Sequence, residues 1–201
     1  MFDHFFSLWN NRDELRAFIS IHPYLGIVVF IALQVLQVVI APLPGEATGF
    51  LAGFFFGAFK GLIISMIGII IGSSIAFYIA KVCEKKWFKK YEKSPIYLKI
   101  KKIFKKHGLT GVFILYLFPG FPKDLLNYFL GFMPITFKGF ITICALGRIP
   151  ATFALTLQGD VVYKGDPKRV LISSTIFVIA FLTFLLIKKR IYFWLENNTT
   201  T

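Results

Sequence analysis

Glu46 and Asp124 are carboxylates in apolar surroundings, each just behind a proline: Glu46 follows Pro44-Gly45, and Asp124 follows Pro122-Lys123. Burying a carboxylate at mid-bilayer costs about 2.5–3.5 kcal/mol even on the lenient insertion scale, so two of them argue for use. The chemistry they suit is proton or ion exchange, because a carboxylate withdrawn from water readily takes up a proton. The competing reading is structural, with each capping the start of a half-helix by accepting freed backbone N–H groups. One side chain can do both.

Lys123 and Arg148 are the cations placed among the same apolar stretches. The planar fork of arginine makes two hydrogen bonds to a phosphate, so an anionic headgroup site is one reading. Neutralising the two carboxylates within the fold is the other, and the residues alone favour neither. Asn127, one helical turn beyond Lys123, would add a polar contact to a headgroup. Tyr128 beside it fits packing or interface anchoring better. Arg148 stands two residues before Pro150, where a kinked helix frees carbonyls that an arginine can bond.

No catalytic constellation accompanies these charges. His4, His22 and His107 are far apart, and Cys83 and Cys144 are too few for a disulfide framework and lack zinc or haem spacing. Neither a Ser-His-Asp grouping nor paired histidines lie at a common depth, so an enzyme is the least expected class. No metal and no cofactor are expected.

The 201 residues around them are 56% apolar, 18% aromatic and only 16% charged, with a mean hydropathy of +0.69. Soluble chains carry about 25% charged residues, which puts this one in the membrane class. Its net charge of +13 would suggest nucleic acid in a soluble protein. Here eleven lysines fall between Lys81 and Lys106, against Glu84 and Glu92. That is the pattern of a cytoplasmic loop, and nucleic acid is not an expected partner. Trp87, Phe88, Tyr91 and Tyr97 interleave with the lysines. An interfacial helix on anionic inner-leaflet lipids follows, each lysine contributing about 1 kcal/mol near the surface; a solvated loop is the alternative.

Apolar runs at Tyr24–Ala41, Leu62–Ala80, Phe140–Leu157 and Val170–Ile187 read as membrane spans. The first reaches about 27 Å, just enough to cross the hydrocarbon. Pro42–Ala58 and Gly108–Met133 are broken by prolines and glycines and contain carboxylates. Irregular backbone is tolerated at membrane depth only under protein or beside a water-filled cavity, so both read as re-entrant hairpins. Pro42, Pro44 and Gly45 would form the first hairpin; Pro119, Gly120 and Pro122 would form the second. Residues 1–23 read as an interfacial amphipathic segment, since Phe2, Phe5, Phe6 and Trp9 share a helical face. Placing Lys81–Lys106 in the cytoplasm puts both termini there too, and Asp160–Arg169 outside. Seventeen of the 23 Lys and Arg then lie inside.

Shifting the chain by 78 residues aligns PGEATGFLAGFFFGAFKG (44–61) with PKDLLNYFLGFMPITFKG (122–139), with six of 18 positions identical. Glu46 falls on Asp124. On the expected topology the two copies are inverted, a design of secondary transporters. The single membrane domain would thus comprise repeat 1 over 42–81, the basic loop over 82–107, repeat 2 over 120–159 and a last span over 170–187.

The stretches PLPGEATGFLAGFFFGAFKGLIISMIGIIIGSSIAFYIAK and LFPGFPKDLLNYFLGFMPITFKGF resemble the DedA/VTT superfamily, also called the SNARE-associated Golgi protein domain. The wording Pro-Lys-Asp and Asn-Tyr-x-x-Gly is most similar to its Tvp/transmembrane branch. The resemblance covers about residues 40–160. It implies lipid scrambling, as in eukaryotic members, or, as in bacterial ones, polyprenyl-phosphate recycling, phospholipid translocation and upkeep of the proton gradient. The family glutamate after Pro-Gly matches Glu46. A frequent family arginine would fall at Tyr116 and a second at Pro122, so both are missing, and Lys123 or Arg148 would have to replace them.

The expected protein is all-α and polytopic, with two inverted repeats, each a re-entrant hairpin followed by a transmembrane helix. It would move lipid headgroups, of a phospholipid or polyprenyl phosphate, between leaflets, with Glu46 and Asp124 exchanging protons and Lys123, Arg148 and Asn127 meeting the headgroup. An ion-coupled carrier for a small solute and a non-transporting scaffold are the alternatives. Membrane lipids are the expected partners, a homo-oligomer is left open, and a bacterial plasma membrane is the expected location.

Overall fold

The structure, a computed structural model, describes residues 22–40, 45–82, 93–117 and 121–197. Among them are seven helices and no strand: α1 (Pro23–Ile40), α2 (Gly45–Phe56), α3 (Ala58–Val82), α4 (Pro95–Leu117), α5 (Lys123–Gly131), α6 (Phe137–Lys164) and α7 (Pro167–Asn197). Helices α1, α3 and α6 are long and apolar enough to cross a membrane, and they cover the first three expected spans. The fourth expected span lies within α7. The expected interfacial segment 1–23 lies almost wholly outside the described residues, as do Pro42, Pro44, Pro119 and Gly120.

Glycines set how the helices meet. Gly57 (φ 83°) alone separates α2 from α3, and its left-handed backbone turns the chain back on itself. On α3, Gly68 and Gly72 admit α1: a Cβ there would lie 2.7 Å from Cβ of Gln34 and 2.8 Å from Cβ of Val38. Small residues four apart let helices approach closely in lipid, where no hydrophobic force drives them together. These contacts advance together along both chains, so α1 and α3 run parallel. In the same way α4 runs parallel to α6, with Gly139 against Leu109 and Gly147 against Tyr116.

Each short helix also packs on the long helix of the other group. Gly53 of α2 lies against the carbonyl of Thr156 in α6, and Gly159 of α6 lies against that of Phe50. Gly131 of α5 lies under Phe77 and Ala80 of α3, where a Cβ would be 2.5 Å from the Phe77 oxygen. Gly53 and Gly131 are 78 residues apart. Helices α3 and α6 are antiparallel, with Phe77 stacked on Phe140 (4.4 Å) at one end and Phe59 beside Phe153 at the other. The main apolar core lies around that Phe pair, between α3, α4, α5 and α6.

Helix α4 consists of two helical arms that meet at a sharp break at Gly108 (φ 57°, ψ −142°), where the basic stretch ends and the apolar one begins. Because α1 is parallel to α3, the start of α1 lies at the end of the bundle opposite to Lys81. With Lys81 inside, α1 therefore starts at the outer end of the bundle; the expected side of the N-terminus itself rests on residues 1–21, which lie outside the described residues.

Candidate functional site

Asp124 is the second residue of α5, and Arg148 lies near the middle of α6. Their side chains meet in a salt bridge of 2.7 Å between Nη2 and Oδ1, with exposures of 8% for Arg148 and 17% for Asp124. Asp124 also sits in the first turn of its helix, where the backbone dipole favours negative charge. Both sequence readings of Arg148 thus meet one fact: its hydrogen bond goes to Asp124, and not to a carbonyl freed by Pro150. The guanidinium is not used up, since its Nε is buried without a hydrogen-bond partner.

Tyr116 forms the floor under Arg148. The guanidinium carbon lies 5.7 Å from the centre of its ring, in reach of a cation–π contact. Gly147 makes room for it, because a side chain there would strike Cβ of Tyr116. The Tyr116 hydroxyl donates to Oδ1 of Asn127 (2.7 Å), and Nδ2 of Asn127 donates to the Ser73 hydroxyl (3.0 Å). Tyr116, Asn127 and Ser73 are all wholly buried. Asn127 thus spends its side-chain hydrogen bonds within the protein. Tyr128 donates to the Val39 carbonyl and so ties α5 to the end of α1. Lys123 is half-buried at the first position of α5.

A second polar group lies between α1, α2 and α3. Oε1 of Gln37 accepts from the Thr48 hydroxyl (2.7 Å) and from Nε2 of Gln34 (3.1 Å). Oε1 of Gln34 and the hydroxyl of Ser65 are buried without partners. Glu46 belongs to the first turn of α2, as Asp124 does to that of α5, while its side chain lies outside the described part. Of the hairpin residues, Gly45 opens α2, and the Pro122 carbonyl accepts the Leu126 N–H (3.0 Å) to start α5. Among the described residues no three His, Cys, Asp or Glu side chains gather as a metal site would need.

Sequence reasoning singled out both charged residues and Asn127, but not Tyr116 or Ser73 as its partners. Tyr116 stood out only as a missing arginine, and Ser73 only as one small residue among many. Gln34 and Gln37 were visible as breaks in an apolar run, three apart and so on one helical face.

The family model of the VTT domain matches residues 43–161, a span holding α2 to α5, most of α6 and both members of the ion pair. No curated protein and no solved structure matches the chain.

Proposed function

The chain belongs to the DedA/VTT superfamily, and from that premise we propose that it carries lipid headgroups between the two leaflets of a membrane. The observation that bears most weight is the buried Arg148–Asp124 pair with one guanidinium N–H unused. A buried ion pair is a weak source of stability, because desolvation offsets most of the Coulomb gain. A phosphate competing for the same guanidinium gives the pair a purpose that stability does not.

In this reading α1, although long enough to cross, pairs with α2 as one re-entrant hairpin, and the apolar arm of α4 with α5 forms the other, entering from the opposite face. Helices α2 and α5 would reach only about 18 Å and 14 Å along their axes, short of the roughly 30 Å hydrocarbon core. The parallel pairs α1/α3 and α4/α6, with directions reversed between them, support an inverted repeat of three helices rather than two. Asp124 then lies near the tip of one hairpin and Glu46 near the tip of the other. Arg148, standing over Tyr116, supplies a cation beside the position where the family arginine is missing. When a headgroup draws Arg148 away, the charge on Asp124 has to be met by a proton or by Lys123. That step is where a proton gradient would couple.

The test is lipid flipping by purified protein in liposomes, with and without a proton gradient. Movement of a fluorescent headgroup above that in empty liposomes is expected, with a loss of at least roughly tenfold in Arg148→Gln. Equal rates in wild type and empty liposomes, for phospholipid and polyprenyl phosphate alike, would overturn the reading. The Gln34–Gln37–Thr48 group favours one other reading, an ion-coupled carrier of a small solute, since it is enclosed by three helices and away from lipid.

A further inference from the structure

Asn127, Tyr116 and Ser73 form a chain of hydrogen bonds that ends under Arg148 and draws on four helices: Ser73 from α3, Asn127 from α5, Tyr116 from α4 and Arg148 from α6. Every side-chain atom that Asn127 offers is directed within the protein. Its Oδ1 accepts from Tyr116, with the Cys144 thiol 3.9 Å away, and its Nδ2 donates to Ser73. A tyrosine ring fully enclosed by apolar side chains does not need its hydroxyl bonded to a buried amide for packing. A phenylalanine would fill the same space without a polar group to satisfy.

The fold itself offers an internal control. At the 78-residue register, Tyr116, Asn127 and Arg148 correspond to Val38, Gly49 and Ile70. The first half of the molecule thus builds the same arrangement of helices with no polar residue at any of the three positions. The first half buries a different polar group, Gln34, Gln37 and Thr48, between its own three helices, so the Tyr116–Asn127–Ser73 chain is particular to the half that holds a guanidinium.

We propose that Asn127 is a positioning residue: it fixes the Tyr116 ring beneath Arg148 and, through Ser73, makes the placing of the guanidinium depend on where α3 stands against α5. The inference rests on the headgroup reading of Arg148 given above, and it replaces the expectation that Asn127 itself touches the headgroup. A ring pinned by its hydroxyl keeps one face under the guanidinium, leaving the unused Nε–H free for an incoming anion. Parting of α3 and α5 would break the Asn127–Ser73 bond first, and the floor under Arg148 would go with it.

Two measurements test this. The first does not depend on transport. Arg148 is one of five arginines, so its Nε–H resonance can be assigned in 15N-arginine-labelled protein in nanodiscs by its loss in Arg148→Gln. A ring-current shift and slowed exchange of that proton are expected in wild type. Both should be lost in Asn127→Leu and in Tyr116→Phe, and only partly in Ser73→Ala. Retention of the wild-type resonance in Asn127→Leu would overturn the proposal.

The second is the dependence of flipping on lipid fraction. Asn127→Leu should raise the half-saturating fraction roughly tenfold with little change in the maximal rate, and Tyr116→Phe should do the same. In an Arg148→Gln background Asn127→Leu should add nothing. An equal effect in both backgrounds, or a loss of maximal rate alone, means a structural role and overturns the proposal. If wild-type protein moves no lipid but its Arg148 resonance behaves as described, the headgroup reading fails while the positioning stands.

Discussion

At the scale of single residues, the pair Arg148–Asp124 has an asymmetric energetic signature. Removing one partner leaves a charge buried without its counter-ion, so Arg148→Gln should lower unfolding stability in detergent by about 3–5 kcal/mol. Replacing both with apolar residues of similar volume, as in Arg148→Met with Asp124→Leu, should recover most of that loss while abolishing lipid flipping. Thermal unfolding of the two variants side by side checks this, and a double variant no more stable than the single one would count against it. The charges were legible in the sequence because so few charged residues stand in the apolar stretches. Their pairing was not, because 24 residues and a turn separate them and no local pattern encodes it. The neutral members were harder still: a buried Ser73 is indistinguishable in sequence from the small residues that merely let helices touch.

At the scale of the helix, contact depends on where side chains are absent. Gly53 and Gly131 each face a backbone carbonyl of the opposite long helix, so no rotamer change can make room there. Gly53→Val and Gly131→Val should each cost about 1–3 kcal/mol or more, measured by unfolding, and a cost below that in either would mean that α2 or α5 can slide. Gly108 is the contrasting case. A side chain there meets nothing within 4 Å, but the backbone (φ 57°, ψ −142°) lies in a region that essentially only glycine adopts. Gly108→Asn and Gly108→Val should therefore each cost roughly 1–3 kcal/mol in unfolding from backbone strain alone, and a neutral Gly108→Asn would count against this. The existence of the long helices followed from their apolar length. The break in α4 falls where the lysines before Gly108 and the apolar residues after it read as two separate segments.

The whole molecule has a direction that composition alone left half determined. The lysines between Lys81 and Lys106 still argue that this end is cytoplasmic, and they dominate the count whichever side residues 1–21 occupy. The parallel course of α1 and α3 then predicts that α1 starts on the outer face. Single cysteines at His22 and Lys164 should react with an impermeant maleimide added outside intact cells, and one at Lys99 only after permeabilisation. Labelling of His22→Cys only after permeabilisation would mean that the bundle is inserted the other way up. The repeat was visible as a register of 78 residues. In the reading proposed here it extends to three helices in each half, which the sequence could not suggest because α1 and the apolar arm of α4 share almost no pattern beyond being apolar.

The crossed packing of the short helices also has a consequence for how the chain is made. Gly53 has its partner at Thr156, about a hundred residues later, which the ribosome delivers some 5–20 s afterwards at ordinary rates of synthesis. Until then α2 rests on α1 and α3 alone, with the backbone face at Gly53 bare, and α3 likewise waits for α5. The first half of this protein is thus born as an unfinished client. Its survival in the interval falls to the insertion machinery and to whatever holds exposed helices in the bilayer, and a nascent chain released before α6 is complete would present to a membrane protease the very face that the finished protein hides.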